Sequence, residues 1–166
     1  LTGSGTGVES FNARLLNEPW EIKNGSGEPF KVFTPYWKVA QQRPLEDPLP
    51  APVGIKLAKF SANGETLGDW ELLPSNPNWA AGWETLWQPG EAGAAAALHR
   101  FIASGLDGYG DLRDRPDLMH TSRLSPHLHF GEISPRQALA AVERAKKGSA
   151  KDKAKFASEL GWREFA

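Results

Sequence analysis

Two short stretches carry residue types that could bind or transform a ligand. Thr121-Ser-Arg-Leu-Ser125 sets three hydroxyls and a guanidinium directly before Pro126. Ser125 and Pro126 read as an N-cap and a first helical residue, and a helix N-terminus with free N–H groups suits an anion such as phosphate. Plain capping would use the same residues. In the second stretch Glu159, Trp162, Arg163 and Ala166 recur at i, i+3, i+4 and i+7, which places them on one helical face. That face could offer a carboxylate and an indole to a flat ligand while Arg163 meets an anion. On periodicity alone a solvated Glu–Arg pair beside a core tryptophan fits better.

Other chemistries are excluded or weakly supported. The 166 residues contain no cysteine, so thiolate nucleophiles, disulfides and thiolate metal sites are ruled out. His120, His127 and His129 lack metal-ligand spacing, since residues two apart diverge on a helix; no metal is expected, and capping, core or ligand-edge roles fit them better. Asp69, Glu71, Asp107 and Asp111 form no evident catalytic pair. No phosphate-binding glycine loop or nucleophile elbow is present. The net charge of −1 excludes a polybasic or acidic tail, although residues 101–166 carry most of the basic side chains and three of the four histidines. No apolar run is long enough to cross a bilayer, and a soluble, cytoplasmic protein is expected.

The elements that must position these residues are mainly helical and lie in the second half. Leu98, Phe101 and Ile102 share one face of a helix over 91–103, ended by Gly105. Ser134-Pro-Arg-Gln137 is a capping box opening a helix over 135–147, closed by Gly148. A third helix starts near Ser149 and carries Phe156 and Leu160. Before residue 89 the chain is irregular. A short helix or strand within 11–22, a turn over 23–29 and a short strand over 30–33 are expected. Thr34-Pro35 then reads as the N-cap and first residue of a short helix. Residues 43–88 hold too many prolines for a long helix, yet Trp70, Trp79, Trp83 and Trp87 argue for an ordered connector.

Taken together, Thr121-Ser-Arg-Leu-Ser-Pro-His-Leu-His-Phe-Gly-Glu-Ile-Ser-Pro-Arg-Gln137 and Glu159-Leu-Gly-Trp-Arg-Glu-Phe165 resemble the flavin-domain signatures of the DNA photolyase/cryptochrome family. Tyr109, twelve residues before Thr121, Pro89-Gly-Glu91 and Val32-Phe-Thr-Pro-Tyr-Trp37 fit the same pattern, so the resemblance runs from about residue 11 to 166. It implies a mainly α fold: residues 1–29 as the end of an α/β antenna domain, 30–88 as an interdomain connector, and 89–166 as the opening helices of the all-helical FAD-binding domain. Leu1 and a final helix without a stop signal suggest a partial chain of a longer protein.

Within the family the motifs look most like a class I cyclobutane pyrimidine dimer photolyase. The resemblance implies light-driven electron transfer from reduced FAD to a pyrimidine dimer in DNA, by a protein that is a monomer when complete. An antenna chromophore, either methenyltetrahydrofolate or a deazaflavin, would accompany the FAD. Carried over by position, Tyr109, Thr121, Ser122, Arg123, Leu124, Ser125, Phe156 and Arg163 would contact FAD. Glu159 and Trp162 would contact the dimer, and Arg113 the DNA backbone. A cryptochrome-type signalling flavoprotein and an inactive fragment are the rival expectations. The isolated chain is expected to be marginally ordered and to bind FAD weakly or not at all.

Overall fold

The computed structural model describes residues 2–9, 11–12, 14–57 and 64–165. Among them are seven α-helices: α1 (Phe33–Ala40), α2 (Trp83–Leu86), α3 (Glu91–Arg100), α4 (Tyr109–Leu112), α5 (Ser125–Phe130), α6 (Pro135–Arg144) and α7 (Ala150–Phe165). No strand occurs among the described residues, as the mainly α expectation required. The chain divides into two compact units, Leu49–Gln88 and the remainder, Leu1–Pro48 with Pro89–Ala166.

The larger unit holds the core. Leu98 and Phe101 of the α3 region, Leu139 and Val142 of α6, and Phe156 and Leu160 of α7 pack with Leu106, Tyr109, Leu124 and Leu16. The six helix positions named first are ones the helical periodicity singled out, and Ile102 and Ala145, singled out with them, pack partly buried against this core. A second cluster gathers Ile22, Tyr36 and Ala40, with Phe30, Phe33, Trp37 and Phe165 against them. Residues 14–17 are strapped to the end of α7. Arg163 donates to the Arg14 carbonyl at 2.7 Å, and the Glu164 carboxyl accepts from the backbone N–H groups of Leu16 and Asn17. Burial raises the Glu164 carboxyl, the backbone donors opposing it, and burial beside Glu164 pushes the Tyr36 phenol up to about 12.

Local chemistry explains most helix boundaries. Ser134 accepts from the Gln137 N–H at 3.1 Å while Gln137 accepts from the Ser134 N–H at 2.8 Å, the reciprocal box read from the sequence. Ser149 and Asp152 repeat the arrangement at the start of α7, with bonds of 3.2 and 3.0 Å. Helix α6 stops at Arg144 rather than running to 147. Lys153 reaches back to the carbonyls of Glu143 and Ala145, satisfying the last turn early. Helix α3 ends at Arg100 and continues as one π turn, Phe101–Gly105.

Three further expectations are corrected. The strand over 30–33 is absent, and Phe33 begins α1. Phe33, Tyr36, Trp37 and Ala40 have helical spacing and all enter the second cluster, which outweighs a four-residue alternation. Val32, not Thr34, is the N-cap of α1, and Pro35 falls in the first turn, where its missing N–H costs no hydrogen bond. The 11–22 segment forms neither helix nor strand among its described residues. Ala166 lies outside the described residues, so its place on the Glu159 face is not assigned.

The unit Leu49–Gln88 contains a 3-10 turn, Leu67–Trp70, and α2, and none of its described residues is buried. Trp79 and Trp83 meet edge to face at 5.3 Å and stay more than half exposed.

Candidate functional site

Helix α7 carries the central carboxylate, and the α4 turn delivers its partners. Asp152 makes that arrangement possible. Besides closing the α7 capping box, its carboxylate accepts from the N–H groups of Gly110 at 2.8 Å and Gly108 at 3.3 Å. The first turn of α4 is thereby fixed against the first turn of α7. These backbone bonds, that of Gly110 foremost, and the Ser149 hydroxyl hold the Asp152 carboxyl down at about 2.

With α4 so placed, Arg113 reaches across to Glu159. Its Nη2 donates to Glu159 Oε2 at 2.8 Å, and its Nη1 to Asp114 at 2.9 Å. The guanidinium carbon lies 5.8 Å from the centre of the Tyr109 ring. Lys155, one turn before Glu159, binds the other oxygen, Oε1, at 3.0 Å. Each carboxylate oxygen of Glu159 thus meets one cation, and the carboxylate stays about a quarter exposed. The Tyr109 phenol is raised, chiefly by burial, with the Arg113 guanidinium opposing. The arrangement can present a carboxylate acceptor of fixed orientation to an N–H donor at a half-buried surface.

Trp162 follows one turn later. Its indole stacks on Phe33 at 3.7 Å between ring centres and 11° between planes, and remains 44% exposed. Phe156 is buried between Phe101, 5.2 Å away, and Tyr109, 5.9 Å away. It serves as core under Tyr109. Arg163 does not pair with Glu159. Its guanidinium bridges the carbonyls of Arg14 and Leu128 and lines a surface groove of about 630 Å³ with Phe11, Asn12, Leu15, Glu18 and His129.

The segment 121–125 is held by its apolar member. Leu124 is buried in the same core as Tyr109, Phe156 and Leu160. The flanking polar residues reach the surface, and the hydroxyls of Thr121 and Ser125 make no hydrogen bond within the described chain. Ser122 Oγ accepts from the Leu124 N–H, and Arg123 adopts a left-handed backbone with φ of 53°. Helix α5 already begins at Ser125, with Leu124 as its cap residue, so Ser125 is not the capping side chain expected. The donor set of three hydroxyls and a guanidinium, with no carboxylate among the five residues, fits the pyrophosphate of a dinucleotide.

The fold therefore joins Tyr109, Arg113, Phe156 and Glu159, with Trp162 next along α7, and anchors 121–125 through Leu124. It sends Arg163 elsewhere. His127, buried, is a core residue: its Nδ1 lies 2.5 Å from Glu132, which also accepts the Gly90 N–H at 2.7 Å and so ties α5 to the start of α3. The His127 pairing, ahead of the Gly90 bond, lowers the Glu132 carboxyl. Among the described residues no three His, Cys, Asp or Glu side chains gather as metal ligands.

Four contributors escaped sequence reasoning. Asp152 had a signal, since Ser149-x-x-Asp152 is a capping pattern. Lys155 had one too, at i, i+4 from Glu159. The Glu132 tie to Gly90 and the Phe33 stack on Trp162 span long sequence separations and left no local sign.

Comparisons with known proteins bear on the family and the fold. A family model described as DNA photolyase matches residues 1–53. The deoxyribodipyrimidine photo-lyase of Agrobacterium fabrum is 40% identical over 99% of this chain and 35% of its own length. Cryptochrome-1 of Arabidopsis thaliana is 38% identical over 86% of the chain and 21% of its own length. The crystal structure of a bacterial class III photolyase from Agrobacterium tumefaciens superposes with a TM-score of 0.91 at 37% identity, covering 99% of this chain and 34% of that one. That neighbour is a class III photolyase, whereas the motifs of this chain resembled class I. The fold is thus a helical segment of the photolyase kind. The chain belongs to the DNA photolyase/cryptochrome family and spans about a third of the length of the photolyase relatives named here. No helix among the described residues is long and apolar enough to cross a membrane.

Proposed function

We propose that this chain is the dimer-facing and phosphate-facing part of a light-dependent pyrimidine dimer photolyase. In this reading residues 1–29 end an antenna domain, 30–88 connect, and 89–166 open the FAD-binding domain. The observation that carries it is the clamped Glu159 beside the exposed Trp162, one turn apart on α7. Pyrimidines offer a flat face and a ring N–H, which an indole and a carboxylate acceptor complement. The photolyase relatives named above support the same reading.

FAD, when bound, supplies the light-excitable electron donor. Thr121, Ser122, Arg123 and Ser125 would hold its phosphates, with Tyr109 and the buried Leu124 and Phe156 supporting that wall. Glu159 accepts a hydrogen bond from the dimer and fixes its orientation. Trp162 stacks on it and excludes water from one side. Extruding the dimer from the duplex costs less than extruding an intact pair, because damage weakens stacking and pairing.

Arg113 is assigned to Glu159 rather than to a DNA phosphate, since both its Nη atoms already serve carboxylates. Arg113→Ala in the full-length protein is expected to weaken binding to dimer-containing DNA several-fold while leaving the salt slope unchanged. A uniform loss on all DNA with a flatter salt slope would return Arg113 to the phosphate backbone.

Similarity to cryptochrome-1 keeps a signalling reading in play. The deciding experiment illuminates the full-length, flavin-loaded protein with an oligonucleotide bearing one thymine dimer. Light-dependent dimer loss is the expected result. Stable flavin binding without dimer loss would favour signalling.

A further inference from the structure

The ring under Trp162 comes from a residue 129 positions earlier, and the indole stacked on it remains 44% exposed. Phe33 covers one indole face nearly in parallel. Phe165 is perpendicular to both rings and almost equally far from each, 5.9 Å from Trp162 and 5.8 Å from Phe33. It must therefore lie against the edges of the pair and not over the second indole face. Trp37 lies near-parallel to Phe33, offset at 6.1 Å and 8°. Trp37 is seated by Gly161, where any Cβ would collide with its ring. The residue beside Trp162 thus admits the helix that backs Trp162.

We propose that Phe33 is a positioning residue for nucleobase stacking, holding the Trp162 indole flat so that a flipped-out base continues the Phe33–Trp162 stack on the open face. The inference rests on the reading of Trp162 as the base-stacking residue and adds what fixes its plane. A free indole would lose rotamer entropy on binding, whereas one already stacked loses little. Base–aromatic stacking tolerates any base, so this device sets affinity for an extruded nucleotide, not sequence preference.

The test uses the full-length, flavin-loaded protein with Phe33→Leu, Phe33→Tyr and Trp162→Ala. Leu keeps apolar volume and removes the flat face; Tyr keeps both. Affinity is measured for matched oligonucleotides with and without one thymine dimer, alongside flavin content. Phe33→Leu is expected to lower the preference for damaged DNA about fivefold with flavin content and undamaged-DNA affinity unchanged. Phe33→Tyr should restore the preference. A Phe33→Leu protein with full preference, or one losing preference and flavin together, would overturn the proposal. If Trp162→Ala itself keeps full preference, the reading of Trp162 fails first, a result separable from failure of Phe33 alone.

Discussion

Asp152→Ala is expected to destabilise the larger unit by about 3 kcal/mol, through loss of charge-assisted bonds and through backbone donors left unpaired. The carboxylate accepts from Gly108, Gly110, the Ser149 N–H and the Ser149 hydroxyl. The Gly110 and Gly108 donors sit in the turn that carries Tyr109. The effect has a defined pH dependence. The folded carboxyl is held at about 2, below its ordinary value of 3.8. Its stabilisation is therefore complete above the ordinary value and fades as pH falls toward 2. Urea midpoints of wild type and Asp152→Asn should differ most at neutral pH and converge between about pH 4 and 2. A gap that stays constant over that range would mean the charge contributes nothing. Because Arg113 follows the same turn, its contact with Glu159 should loosen too.

Gly161→Ala should destabilise by about 2 kcal/mol, although the same change in an ordinary helix interior stabilises by roughly 0.5–1 kcal/mol. The sign is set by Trp37, whose ring occupies the space a Cβ needs. Trp37 cannot simply swing aside, since it packs with Phe33, Tyr36 and Phe165 in the second apolar cluster. The expected consequence is a displaced α1 and a weakened Phe33–Trp162 stack. Adding Trp37→Leu to Gly161→Ala should recover part of the loss, a positive coupling measurable by a double-mutant cycle on urea unfolding. Additive effects would show that Gly161 and Trp37 do not meet in solution.

Helix periodicity and caps made much of the larger unit legible. Leu98, Phe101, Leu139, Val142, Phe156 and Leu160 repeat at helical spacing and all enter the core. The Ser134 box is local, so its signal lies within four residues. Helix α1 was harder, because over Phe30–Phe33 a strand and a helix start look alike. Its helix is decided by the aromatic partners Trp162 and Phe165, far along the chain. At the candidate site, residue identities were readable through family resemblance, but pairings were not. Glu159 and Arg163 look like neighbours at i, i+4, yet Arg163 is drawn to two backbone carbonyls and Glu159 to Arg113 and Lys155. Carbonyls left open by the 14–17 segment and by the end of α5 compete for that guanidinium, and no local spacing records such competition. Residues 43–88 read correctly as irregular, with only a 3-10 turn and the four-residue α2 among those described, because proline excludes long helices there.

Light-dependent repair by full-length Glu159→Ala, measured per bound flavin, tests the central claim most directly. Glu159 is assigned to the substrate, and losing a hydrogen bond to a charged group costs about 1.5–3 kcal/mol. Repair per flavin of a thymine-dimer oligonucleotide at subsaturating concentration should fall at least tenfold while flavin content stays near that of wild type. Repair and flavin lost in equal proportion, or repair left intact, would contradict the assignment and make Glu159 a structural partner of Arg113 and Lys155.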